Sequence, residues 1–158
     1  MPALRLLCAL ALAIAGLGIA GPASAQDIVT ADPMTVASVV REQGFDAEIS
    51  KDKDGDPMIR VEARGYRYVI LFYGCTNGKD CTSLGLYSFV SGEGVDIDKV
   101  NKWNHDNRFG RAYIDDDKDG VVEMDIDLEQ GGMSRALFTD HIDKWMYVLA
   151  QFNKAMVD

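Results

Sequence analysis

Residues 66–90, YRYVILFYGCTNGKDCTSLGLYSFV, decide how this chain folds. Two runs rich in aromatic and aliphatic residues, 66–73 and 84–90, flank a polar segment bracketed by Cys75 and Cys81. Such runs bounded by turn residues read as strands, and their short connection makes them antiparallel neighbours. In the first run Tyr68, Ile70 and Phe72 share one face, while Val69, Leu71 and Tyr73 share the other. Apolar residues on both faces predict an inner strand buried on both sides. Cys75 and Cys81 are the only cysteines outside the N-terminal leader described below. In an exported domain such a pair reads as a disulfide pinning the hairpin connection. Closing so short a loop contributes about 2 to 2.5 kcal/mol. A redox pair or a zinc site is the rival use, but the spacing is not C-x-x-C and no second cysteine pair or nearby histidine completes a zinc set.

Working outward toward the N-terminus, residues 58–63 and 45–50 read as two further strands, joined through the turn cluster Asp54-Gly55-Asp56-Pro57. A helix precedes them. Asp32 is its N-cap, Pro33 takes the first helical position, and Val36, Val39 and Val40 form one stripe. Gly44 stops it, and Phe45 can fold back on the stripe as in a Schellman ending. Residues 26–31 read as a short mobile lead-in. Before them lies a secretory leader, residues 1–25: one charge at Arg5, an apolar run from Leu6 to Ala20, then Ala23-Ser24-Ala25 ahead of Gln26. The run is short for a membrane span, and its small-residue exit marks a cleavage site. The expectation is a cleaved leader, a mature domain over residues 26–158 with no stable membrane anchor, and a periplasmic or secreted destination.

Toward the C-terminus a second helix starts near Asp96, with Ile97, Val100 and Trp103 on one side and an Asp98–Lys102 pair on the other, and runs out around Asn107. Residues 109–114 form a strand and 115–120 an acidic turn. Residues 121–129 alternate cleanly, Val122, Met124, Ile126 and Leu128 against Glu123, Asp125, Asp127 and Glu129. This predicts one core face and one wet face. After Gly131-Gly132, Ser134 caps a last helix, with Met133 and Phe138 placed as a hydrophobic staple. Phe138, Ile142, Trp145, Leu149, Phe152 and Met156 make its apolar stripe. The order is helix, four strands, helix, two strands, helix. The fold class is α+β, an antiparallel sheet flanked by helices, in a single domain.

Charge narrows the function. Of the 16 lysines and arginines one, Arg5, lies in the leader, so 15 basic residues face 25 acidic ones in the mature chain, a net of about −10. This argues against nucleic acid and anionic membranes, and favours solubility or a basic protein or peptide partner. Asp115, Asp117, Asp119 and Gly120 match the opening of an EF-hand loop, but Ile126 stands where the bidentate glutamate belongs and the flanks are strands. A solvated hairpin turn is the better account, with a weak calcium site on Asp115, Asp117 and Asp119 as the alternative. The acidic row 123–129 lacks the asymmetric environments of catalytic carboxylates and reads as an exposed face or a docking surface for a basic partner. His105 and His141 lie on different helices, with no nucleophile motif, so the expectation is no enzyme and no cofactor; an undetected hydrolase would have to use these histidines as bases. The stretch Trp103-Asn104-His105-Asp106-Asn107-Arg108-Phe109 has two accounts. Trp103 is core and the amides cap the helix, or Trp103, Asn104, Asn107 and Arg108 form a recognition surface.

The segments Val100-Asn101-Lys102-Trp103-Asn104, Arg108-Phe109-Gly110-Arg111-Ala112-Tyr113, Val122-Glu123-Met124-Asp125 and Gly132-Met133-Ser134, followed by a helix with Trp145 and Phe152, resemble the YbjN-like family, known as bacterial sensory-transduction regulators. The resemblance runs from about Asp32 to the end. It implies a fold similar to type III secretion chaperones, no catalytic residues and no cofactor, and an association with motility, stress responses and surface properties. It also implies a chaperone-like or regulatory binding module that can work as a homodimer. The best-known members look cytoplasmic, so the leader and the Cys75/Cys81 pair point to an exported version.

Overall fold

The computed structural model describes residues 28–92 and 95–157. The secretory leader expected over residues 1–25 lies outside the described residues, with its expected cleavage site. The chain runs β1 (Ile28–Val29), α1 (Pro33–Glu42), β2 (Asp46–Lys51), β3 (Pro57–Ala63), β4 (Tyr66–Tyr73), β5 (Ser83–Val90), α2 (Ile97–Asp106), β6 (Arg111–Ile114), β7 (Gly120–Asp127), β8 (Met133–Ser134) and α3 (Arg135–Val157). β2 to β7 form one antiparallel six-stranded sheet in the order β2-β3-β4-β5-β7-β6. The architecture is α+β, with the expected order of helices and main strands. Among the described residues, no helix is long and apolar enough to cross a membrane.

Local chemistry explains the helix ends. The Asp32 carboxylate accepts from the Thr35 N–H at 2.8 Å, with Pro33 opening α1. At the other end Gln43 and Gly44 donate to the carbonyls of Val40 and Arg41, tightening the last turn before the chain leaves through a left-handed Gly44. Asp96 caps α2 by accepting from the Lys99 N–H, and the Ser134 hydroxyl accepts from the Leu137 N–H at the start of α3. These bonds satisfy N–H groups that a helix leaves unpaired. Cys75 and Cys81 are joined by a disulfide that closes the connection between β4 and β5.

Three helices cover one face of the sheet. That face presents Ile59, Val61, Tyr68, Ile70, Phe72, Leu84, Leu86, Val122, Met124 and Ile126, all buried against Val36, Val40, Phe138, Ile142, Trp145, Leu149 and Phe152. Trp145 meets Tyr68 edge-on at 5.8 Å, and Trp103 meets Phe152 edge-on at 5.6 Å.

Three details depart from the sequence expectations. The lead-in is not loose: Ile28 and Val29 pair antiparallel with Ser134 and Met133, and Val29 is buried in the core. Gly132 makes this possible, since a Cβ there would stand 2.2 Å from the Val29 carbonyl oxygen. Two-residue strands are too short to show an alternation, and their pairing spans about a hundred residues of chain. Lys102 pairs with Asp106 at 2.7 Å, one turn further along α2, rather than with Asp98, and Ile97 is exposed. Most important, β4 is an inner strand but is not buried on both sides: Val69 and Leu71 are half-covered and Tyr73 is exposed. The helices lie only over the other face.

Candidate functional site

The stretch read as a recognition surface is largely structural. Trp103 is 2 % exposed, so it offers no surface to a partner; its ring fills the space between α2, α3 and β6. Asn104 makes a two-way amide pair with the edge strand β6, donating to the Ala112 carbonyl and accepting from the Ala112 N–H, both at 2.9 Å. Asn107 donates to the Trp103 carbonyl at 2.9 Å and caps the end of α2. Of the four residues proposed as anchors, Asn104 and Arg108 are exposed, but the Asn104 amide is committed to β6, whereas the Arg108 guanidinium stands 5.3 Å from the exposed Phe109 ring. Lys144 of α3 stands 5.8 Å from the same ring. Asn104 has a counterpart across the sheet: Arg41 of α1 donates from Nε to the Ala47 carbonyl of the opposite edge strand, β2, at 3.0 Å. Each edge is thus engaged by a helix side chain, a common device against unwanted strand pairing.

The acidic turns are built for their own backbones. Asp115 accepts from the N–H groups of Asp117 and Asp119 through one carboxylate oxygen, and Asp52 does the same for Asp54 and Asp56. Among the described residues no group of three or more acidic, histidine or cysteine side chains could hold a metal ion. Asp115, Asp117 and Asp119 therefore do not converge on a calcium site as the alternative required. His105 is exposed and contacts Asp106 at 2.7 Å, while His141 is half-buried; among the described residues its Nδ1 has no partner, and neither histidine is hydrogen-bonded to a serine or cysteine. The Asp106 carboxyl is held below its usual range by hydrogen bonds from Lys102 and then His105, in a surface ion cluster beside a shallow groove shared with Lys99, Asn107 and Lys154.

What the structure does bring together is the open face of the sheet. The outward apolar residues of β4 and β5 are Val69, Leu71, Tyr73, Tyr87 and Phe89, with Met58 from β3 beside Leu71 and Tyr113 from β6 at the far side. Phe89 is 55 % exposed and Tyr73 48 %. Val121 lies between Phe89 and Tyr113 in the register and is fully buried, yet it belongs to this face and not to the main core cluster. The open face thus has a small apolar cluster of its own. Gly85 leaves room on it for the Tyr73 ring: a Cβ there would be 2.8 Å from Tyr73 Cε2 and 3.5 Å from Asp125 Oδ1.

The two central strands also part company here. Their register runs from Tyr73 opposite Ser83 to Val69 opposite Tyr87 and stops, although β4 reaches back to Tyr66 and β5 on to Val90. Across the widening gap the Ser88 hydroxyl donates to the Arg67 carbonyl at 2.8 Å. The result is a depression of about 220 Å³ with Val69, Tyr87 and Phe89 among its walls and Arg60, Glu62 and Arg67 at its rim. Glu62 and Arg67 pair with each other at 3.0 Å.

The charge around this face is mostly negative. On β7, Glu123 is engaged by Arg111 and by the Tyr113 hydroxyl, whereas Asp125 and Asp127 are exposed and in no ion pair among the described residues. The Tyr73 phenol is pushed above its ordinary range by partial burial, then by Asp125, Tyr113 and Asp52. Tyr87 is pushed up by partial burial, then by Tyr113, Asp115, Asp119 and Asp117. Both phenols therefore sit in the field of nearby carboxylates.

Sequence reasoning missed Val69, Leu71, Tyr87 and Phe89 as surface residues because an apolar outward side chain looks the same as an inward one. A signal was present in the neighbours: Arg60, Glu62 and Arg67, then Glu123, Asp125 and Asp127, occupy the same face of adjoining strands. Charges on that scale mark a wet face.

The crystal structure of the Yersinia pestis type III secretion chaperone SycH, in complex with a stable fragment of YscM2, is similar at a TM-score of 0.47 and 12 % identity, covering 79 % of this chain and 97 % of that one. No curated protein matches the chain. The family model described as "Putative bacterial sensory transduction regulator" matches residues 32–157, and the chain belongs to that family, YbjN.

Proposed function

We propose that the chain is a non-catalytic module, exported from the cytoplasm, that binds a segment of another protein on the open face of its sheet. One observation carries this reading. Three helices cover one face of the sheet, while the other keeps Val69, Leu71, Tyr73, Tyr87 and Phe89 at least partly accessible in a patch with no cover of its own. Contiguous exposed apolar surface of this kind marks an interaction site. Aromatic side chains are the residues most often found to dominate binding energy at such sites. The carboxylates of Asp125 and Asp127 beside it favour a basic partner.

Export rests on the leader over residues 1–25 and on the Cys75–Cys81 bond, which an oxidising compartment preserves. The mature protein is expected to begin at Gln26 and to show no free thiol before reduction. Cytoplasmic fractionation of a full-length, uncleaved chain would overturn the export half of the proposal.

The binding half is tested by placing a photo-crosslinking residue at position 89 and, separately, at position 147. Tyr147 is the control, because it is 62 % exposed on α3 and away from the open face. A defined adduct from position 89 and none from 147 is the expected result. Adducts from 147 alone would move the surface to the last helix and overturn the assignment.

A further inference from the structure

The open face has a polarity along the strands, and this restricts what can lie on it. At one end the Tyr73 ring lies across Gly85 beside Asp125, with Asp127 opposite Ser83 at the level of Tyr73. At the other end the strands part around Val69, Tyr87 and Phe89, and the depression there has space for one aliphatic or aromatic side chain. Tyr73 and Val69 are four residues apart on one strand and point to the same side, a separation of about 13 Å at the usual strand rise. An extended segment lying along β4 and β5 covers that distance in four residues. Its residues at the two ends then face the sheet together, because side chains alternate with period two.

We infer that the open face reads an extended partner segment carrying a lysine or arginine and, four residues away, an apolar side chain. The cation lies on the Tyr73 ring between Asp125 and Asp127, and the apolar side chain enters the depression between β4 and β5. This footprint rests on the docking reading above and adds to it a register and a charge. The cation is specified by chemistry already in place: an aromatic face, two exposed carboxylates outside any ion pair among the described residues, and no basic side chain hydrogen-bonded to either. Glu123, by contrast, is already matched by Arg111, and Arg67 by Glu62. Arg60 at the rim is in no ion pair among the described residues, so the depression end carries one positive charge and the unpaired carboxylates lie at the Tyr73 end.

The test uses the mature protein and labelled nine-residue peptides in a serine–threonine background, followed by fluorescence anisotropy. The first peptide has lysine at position 3 and leucine at position 7. In the second, glutamate replaces the lysine. In the third, the leucine moves to position 6, which turns it to the opposite side of an extended chain. The first peptide is expected to bind at least ten-fold more tightly than either control, and added salt is expected to weaken it. Asp125→Asn with Asp127→Asn should reduce its binding ten-fold, and Phe89→Ser should do the same, with melting temperatures within a few degrees of the parent. Equal binding of the lysine and glutamate peptides, indifference to the leucine position, or no binding of any peptide would overturn the footprint. If position 89 still yields a defined crosslinked adduct in that case, the docking face stands and only the register and charge fall. If the protein alone sediments as a dimer that Phe89→Ser dissociates, the face belongs to a second copy and the footprint is overturned.

Discussion

The two faces of the β2–β7 sheet are made of similar residues and have different fates. On β4, Tyr68, Ile70 and Phe72 are buried under helices, and Val69, Leu71 and Tyr73 alternate with them on the uncovered side. Hydrophobicity alone does not separate the two sets. Cover does: α1 and α3 lie over the first set, and nothing among the described residues lies over the second. β7 shows the more usual arrangement, with Val122, Met124 and Ile126 inside and Glu123, Asp125 and Asp127 outside. The same wet face thus carries carboxylates on β7 and aromatic and aliphatic residues on β4 and β5, which is the contrast the proposed docking role explains. The edges make the same point by contrast. Asn104 and Arg41 engage outward backbone groups of β6 and β2, while the open face carries no comparable guard.

The comparison can be broken most decisively on the covered side. Trp145→Ala removes a fully buried ring packed against Tyr68, and should destabilise the fold by about 3–5 kcal/mol in denaturant unfolding. A loss below about 1 kcal/mol would mean that the helix-covered face is not the core. Next in size is Asn104→Ala, which strips both partners from Ala112 in the edge strand; leaving such groups unpaired costs about 1–3 kcal/mol. Faster amide exchange confined to residues 111–114 would locate the effect at that edge, and uniform exchange would deny Asn104 its edge-guarding role.

The tyrosines sharpen the contrast by titration. Tyr68 is buried with no partner for its hydroxyl among the described residues, and desolvation pushes its phenol far above the ordinary value of 10.0. A raised folded-state pKa means that the native state keeps the proton after the unfolded chain has lost it. The associated stability is therefore intact below pH about 10 and falls above it, by about 1.4 kcal/mol per pH unit for one group. Tyr68→Phe should remove that part of the alkaline slope. Tyr73 and Tyr87, on the open side, should ionise within the folded protein, above the free phenol but without unfolding it. The smallest stability effect belongs to Phe89→Ser. Its ring is already more than half in water, so unfolding should change by less than about 1 kcal/mol, with the main consequence in partner capture. A loss as large as that of Trp145→Ala would show that Phe89 is core and would dissolve the distinction between the faces.

The binding stretch was the least legible part of the molecule from sequence. Trp103, Asn104, Asn107 and Arg108 include the residue types that dominate interfaces, but those same types also fill cores and satisfy backbone groups. Trp103 went to the core because α3 brings Phe152 edge-on to it, and Asn104 went to Ala112 because β6 follows directly and lies alongside α2. Nothing in the order of residues 103–109 states either neighbour. The acidic segments are turns, as their sequence suggested, and local bonding shows why. An aspartate at every second position serves a metal when the side chains converge, and serves its own backbone when the first of them accepts from the third and fifth.

What the sequence determined alone were features set by periodicity and local bonding. The Asp32-Pro33 start and Gly44 end of α1, the α3 stripe from Phe138 to Met156, and the inside–outside alternation of β7 depend on residues within a few positions of one another. Their energetics are local, so the linear order contains them. What the tertiary structure decided was which of two chemically similar faces would be covered. That depends on where helices from distant parts of the chain come to rest, as does the pairing of Val29 with Met133 across Gly132. Burial is a property of the whole packing, and a strand such as β4, apolar on both sides, is consistent with either face until the helices have chosen one.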